Sequence, residues 1–112
     1  MALLEITTEE IADFLILKIK GKLDAQSSPI LIEKLNALVI AGKVKLVLDI
    51  SQVPFMSSAG IGATIKTLDD TKSKKGVLKI VGAKPEVLKV YEILGFAPAF
   101  SFYETVQDAL KF

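Results

Sequence analysis

Neither cysteine nor histidine occurs anywhere in the chain, and that absence removes much of ordinary protein chemistry. No disulfide can form, no thiolate or imidazole can hold a metal, and neither a Ser-His-Asp triad nor a Cys-His pair can be assembled. Charge of one sign is also lacking: 14 basic residues against 13 acidic ones leave +1. The two signs are interspersed, so no broad field concentrates the chain on nucleic acid or an anionic membrane. No apolar run approaches the roughly eighteen residues of a spanning helix, and no basic segment precedes a signal-type apolar core. A soluble, cytoplasmic protein is expected. The glycines form neither a run ending in Gly-Lys-Ser or Gly-Lys-Thr nor the dinucleotide fingerprint, so nucleotide binding is not expected either.

What is present is a chain of 112 residues, 51% of them hydrophobic, enough for one compact core. No repeat, low-complexity segment or Ser/Gly/Pro-rich linker divides it, so residues 1–112 are read as a single domain. Leu4 and Ile6 alternate with polar neighbours, whereas Phe14-Leu15-Ile16-Leu17 is apolar on both faces, which predicts an outer and an inner strand. The link through Glu9-Glu10-Ile11-Ala12-Asp13 is too short for a parallel crossover, so these two strands pair as an antiparallel hairpin. Ser28 and Pro29 read as N-cap and first residue of a helix carrying Leu31, Leu35 and Leu38 and stopping at Gly42. Val44 to Ile50 and Val77 to Val81 are β-branched and apolar, as interior parallel strands are. Ile61, Ile65 and Leu68 form the stripe of the helix between them. Pro85 opens a third helix with Val87, Leu88, Tyr91 and Leu94, closed by Gly95. Ala99 to Phe102 predicts a short edge strand, and Glu104 to Leu110 a terminal helix. The fold class is α/β: a mixed central sheet, an antiparallel N-terminal hairpin plus parallel strands, with packed helices in the order ββαβαβαβα.

Right-handed crossovers gather the loops Lys22 to Gln26, Asp49 to Ser58 and Gly82 to Lys84 near one sheet edge, with Asp24, Asp49 and the serine pair among them. The most informative stretch runs from Lys45 to Gly62, where a strand, a short loop and then Ser57-Ser58-Ala59-Gly60 open a helix. A helix N-terminus favours negative charge, so a phosphate can be accommodated there. The plainer reading is that a serine caps the helix, a bond worth about 1 kcal/mol. Gly60 reads as a close-packing or turn glycine, and Gly62 costs about 1 kcal/mol of helix propensity while allowing near approach. Asp24 and Asp49 read as turn residues satisfying local backbone donors; as paired carboxylates they lack a marked pocket, a histidine and a metal-ligand set. Phe55 and Met56 read as core plugs beneath the loop or as an adaptable partner surface, and Tyr91 and Phe96 share that ambiguity.

Three ordered motifs, Gly21-Lys22-Leu23-Asp24, Leu46-Val47-Leu48-Asp49-Ile50-Ser51-Gln52-Val53 and Phe55-Met56-Ser57-Ser58-Ala59-Gly60-Ile61-Gly62, together resemble a STAS domain, specifically a bacterial anti-sigma factor antagonist. The resemblance spans nearly the whole chain. In that family the helix is preceded by aspartate, serine, serine or threonine, and glycine, and the serine after the aspartate is phosphorylated by the anti-sigma factor, a serine kinase. The matching position is Ser58. Ser57 stands in place of the aspartate and is an alternative acceptor; Ala59 replaces the second hydroxyl residue. The implied partner surface comprises Leu23, Asp24, Ala25, Met56, Ser57, Ser58, Ala59, Gly60 and Ile61.

The implied mechanism is partner switching. The unmodified protein captures the anti-sigma factor and frees sigma factor, phosphorylation lowers the affinity, and a serine phosphatase restores it. The resemblance implies no catalysis, cofactor or metal, and no direct contact with nucleic acid or membrane. The departures at Ser57 and Ala59 also motivate a second reading, a STAS scaffold without phosphoregulation or a transporter accessory subunit. A small phosphate-ester or nucleotide-handling enzyme would rest only on the helix N-terminus and two aspartates.

Overall fold

In the computed structural model, which describes residues 3–111, the first strand runs further than its apolar alternation suggests. Strands β1 (Glu5–Ile11) and β2 (Phe14–Lys20) pair antiparallel from Glu5↔Lys20 to Ile11↔Phe14. Glu9, Glu10 and Ile11 are therefore strand, not linker, and only Ala12 and Asp13 turn the chain. Both have positive φ, 54° and 66°, as a two-residue hairpin turn matched to the sheet twist requires.

The chain continues through α1 (Ser28–Ile40), β3 (Lys45–Gln52), α2 (Ser58–Ser73), β4 (Val77–Val81), α3 (Pro85–Ile93), a 3₁₀ turn at Ala97–Ala99, β5 (Ser101–Tyr103) and α4 (Val106–Lys111). The sheet order is β1-β2-β3-β4-β5, with every pair after the hairpin parallel. Because the parallel strands advance in one direction, right-handed crossovers place α1, α2 and α3 on the same face. There Leu17, Leu46, Leu48 and Ile80 meet Leu31, Leu35, Ile61, Val87 and Tyr91 in the main core. The opposite face, with Ile16, Val47 and Val81, is covered by α4 through Ala109. Lys79 lies buried there: its ammonium donates to the Ala109 carbonyl at 2.6 Å and sits 5.0 Å and 5.3 Å from the ring centres of Phe14 and Tyr103.

The helix ends follow local chemistry. All three crossover helices close with the paired Schellman bonds: Lys43 N–H to Leu38 O and Gly42 N–H to Val39 O after α1, Gly76 to Thr71 and Lys75 to Lys72 after α2, Phe96 to Tyr91 and Gly95 to Glu92 after α3. Gly42 and Gly95 supply the left-handed residue, but after α2 that residue is Lys75, at φ 60°. The glycine is displaced to position 76 because a Cβ there would run into the Val44 backbone. The start of α1 differs from expectation. Its N-cap is Ser27, and the Ser28 hydroxyl is fully buried without a hydrogen-bond partner.

Candidate functional site

Two loops meet at the C-terminal edge of the parallel strands because their backbones are stitched together. Leu23 N–H donates to the Phe55 carbonyl at 2.9 Å, Ser57 N–H donates to the Leu23 carbonyl at 2.7 Å, and Leu23 and Met56 form an isolated parallel bridge. The loop after β2 is thereby held against the start of α2, bringing Asp24 and Ala25 beside the serine pair. Leu23 and Met56 are buried at 0% and 1% exposure, and Ile61 at 0%. Gly60 is buried with them, since a Cβ would stand 2.8 Å from Met56 Cγ and 3.1 Å from Leu23 Cβ. Of the nine residues expected on a partner surface, Leu23, Met56, Gly60 and Ile61 are instead buried, packed beneath the exposed ones. Ala25, Ser58 and Ala59 are exposed, and Asp24 and Ser57 half-buried.

The two serines differ in kind. Ser57 is the N-cap, in extended conformation, and its Oγ accepts from Gly60 N–H at 3.4 Å while its carbonyl accepts from Ile61 N–H at 3.0 Å. Ser58 is the first helical residue and solvent-exposed. The leading N–H groups of a helix lack intrahelical acceptors and carry the positive end of the dipole. No acidic residue stands in the first turn of α2, so nothing within the helix opposes an anion on Ser58.

Asp24 is occupied locally. Its Oδ1 accepts from Gln26 N–H at 3.0 Å and Ser27 N–H at 2.9 Å. These bonds, that from Ser27 foremost, hold its carboxyl below the usual carboxylate range. The Ser27 hydroxyl donates onward to the Lys22 carbonyl at 2.5 Å, so Asp24 and Ser27 brace the loop and start α1. Asp49 is not in this neighbourhood. β3 runs on to Gln52, so strand alternation puts Ile50 into the main core and turns Asp49 to the α4 face, where it accepts from Ser51 N–H at 3.0 Å and Ser51 Oγ at 2.7 Å. Asp24 and Asp49 therefore do not form a carboxylate pair at the serines.

Beneath the site, Thr64 Oγ1 donates to the Ile61 carbonyl at 2.7 Å and lies 2.7 Å from the Tyr91 hydroxyl. With its own proton committed, the threonine oxygen accepts from Tyr91. Tyr91 is fully buried, edge-on to Phe100 and Phe102, and burial pushes its hydroxyl pKa up to about 12. Phe55 is 49% exposed and Phe96 39%, so Met56 and Tyr91 are the core members of those pairs. Phe55 points outward because the extended loop buries Val53 and Met56 instead. A cleft of about 700 Å³ lined by Ala12, Phe14, Lys43, Lys45 and Lys75 lies at the opposite end of the parallel strands. Ser58 does not line that cleft.

This topology and serine-bearing helix define a class. The STAS domain pattern matches residues 5–109, and the chain belongs to the STAS domain family. Within it, this protein is similar to the anti-sigma-B factor antagonist of Bacillus subtilis, 31% identical over 77 residues that cover 69% of this chain and 70% of that one. The crystal structure of an anti-sigma factor antagonist from Mycobacterium paratuberculosis superposes with a TM-score of 0.87 at 24% identity, covering 96% of this chain and 92% of the other. SpoIIAA of Bacillus in its phosphorylated form superposes with a TM-score of 0.76 at 17% identity, covering 96% and 97%.

Proposed function

We propose that this chain is an anti-sigma factor antagonist that binds an anti-sigma factor of the serine-kinase class, frees sigma factor, and is released by phosphorylation of Ser58. The observation that carries the reading is the division of labour at the start of α2: Ser57 caps the helix, while Ser58 is exposed on a helix end free of acidic residues. A phosphoserine brings a charge of about −1.5 to −2. The helix N-terminus tolerates that charge within the domain, whereas a partner packed over the same spot meets repulsion and desolvation. A hundredfold loss of affinity needs only about 2.7 kcal/mol, so no rearrangement of the fold is required. A serine phosphatase resets the switch, and the chain itself performs no chemistry. The phosphorylated relative supports the reading by showing that a domain of this fold accommodates phosphate.

Two substitutions separate the acceptors. With an anti-sigma serine kinase from the same organism and ATP, mass spectrometry should find phosphate on Ser58 in the wild type and in Ser57→Ala, and none in Ser58→Ala. Undiminished labelling of Ser58→Ala would move the acceptor elsewhere and favour the scaffold reading.

A further inference from the structure

Gly62 is the fifth residue of α2, inside a regular helix, and is exposed. A helix-interior glycine weakens a helix relative to alanine because its backbone has more freedom to lose on folding. Within this chain nothing requires it. A Cβ at Gly62 would meet no atom within 4 Å, whereas a Cβ at Gly60, two residues earlier, would collide with Met56 and press on Leu23. Its backbone does not need the left-handed region either, since Gly62 is not among the positive-φ glycines. Gly60 is therefore explained by the fold, and Gly62 is not.

Its position says what it faces. Residues four apart lie on one side of a helix, so Gly62 stands one turn beyond Ser58 on the exposed flank. A kinase that transfers phosphate to the Ser58 hydroxyl must bring that oxygen to bonding distance of its nucleotide, which places the kinase beside the flank of α2 that Ser58 and Gly62 share. From this, and resting on the proposed role of Ser58, we infer that Gly62 is a specificity-determining position: the missing Cβ lets the anti-sigma factor's backbone approach α2 within a distance that any side chain would forbid. The next exposed residue along the flank, Lys66, is engaged by Asp70 at 2.7 Å and Asn36 at 3.1 Å, so the close approach ends there.

Stability and binding should move in opposite directions. Full-length wild type, Gly62→Ala and Gly62→Leu are compared for thermal midpoint and for affinity to the purified anti-sigma serine kinase of the same organism. Gly62→Ala should melt about 4 °C higher than wild type, yet bind at least about tenfold more weakly and be phosphorylated more slowly at limiting kinase. Gly62→Leu should remain folded and bind at least about a hundredfold more weakly. Wild-type affinity in both variants would overturn the inference while leaving the role of Ser58 intact. Failure of the wild type itself to bind or be phosphorylated would overturn both.

Discussion

At the scale of single residues, the serines at the two helix starts have unlike roles, and their alanine variants should show it. Ser57→Ala removes the cap acceptor of α2 and should cost about 0.5–1 kcal/mol. Ser58→Ala removes an exposed hydroxyl and should fall within about 0.5 kcal/mol of wild type. Ser28 is the reverse of a cap: its hydroxyl is buried and unpartnered, so Ser28→Ala should be neutral or stabilising by up to about 1 kcal/mol in urea titration, a clear loss arguing against the orphaned assignment. Asp24 holds its charge to lower pH folded than unfolded. Its contribution is present above about pH 4 and is lost as pH falls below that. The urea midpoint of Asp24→Asn should consequently drop less between pH 7 and pH 3 than that of wild type. Tyr91 titrates the other way. With a hydroxyl raised from 10.0 to about 12, the folded state keeps a proton that the unfolded chain releases, so stability holds up to pH 10 and declines from there toward pH 12.

Elements add constraints that no single residue shows. The turn after α2 places Lys75 in the left-handed region where glycine is favoured, and glycine in the next position where Val44 leaves no room. Lys75→Gly should stabilise by about 1 kcal/mol, and Gly76→Ala should destabilise by about 1–3 kcal/mol. A fall in the midpoint of Lys75→Gly would show that the lysine side chain contributes more than its backbone strain costs. Helices α1, α2 and α3 were legible because each carries an apolar stripe between a Ser or Pro start and a Gly just past its end. The hairpin boundary was less so: Glu9 and Glu10 read as linker, yet on an outer strand charged side chains are compatible with pairing. The start of α1 was misplaced by one residue because Asp24 holds its entry, the side chain accepting from Gln26 and Ser27 N–H and the carbonyl from Ser28 N–H, and a linear pattern does not reveal that. The side of the sheet that Asp49 occupies depends on where β3 ends, which an apolar run terminating at Ile50 does not disclose.

For the molecule as a whole, one-way strand order leaves the sheet with two unlike faces. One is covered by three crossover helices and carries the serine-bearing edge; the other is closed by α4, held through the Lys79 ammonium on the Ala109 carbonyl. The serine-bearing edge is built as an exposed rim on a buried floor of Leu23, Met56, Gly60 and Ile61, so under the proposed function a charge added at Ser58 is felt by whatever docks there and little by the core. That separation is the central claim. It is tested most directly by measuring, on one preparation of full-length protein, the dissociation constant for the anti-sigma serine kinase and the thermal midpoint, before and after stoichiometric phosphorylation of Ser58. Affinity should fall at least about a hundredfold while the midpoint stays within about 2 °C. Equal affinity for the two forms would contradict the switch, and a loss of affinity accompanied by collapse of the midpoint would show that phosphate acts on the fold instead of the interface.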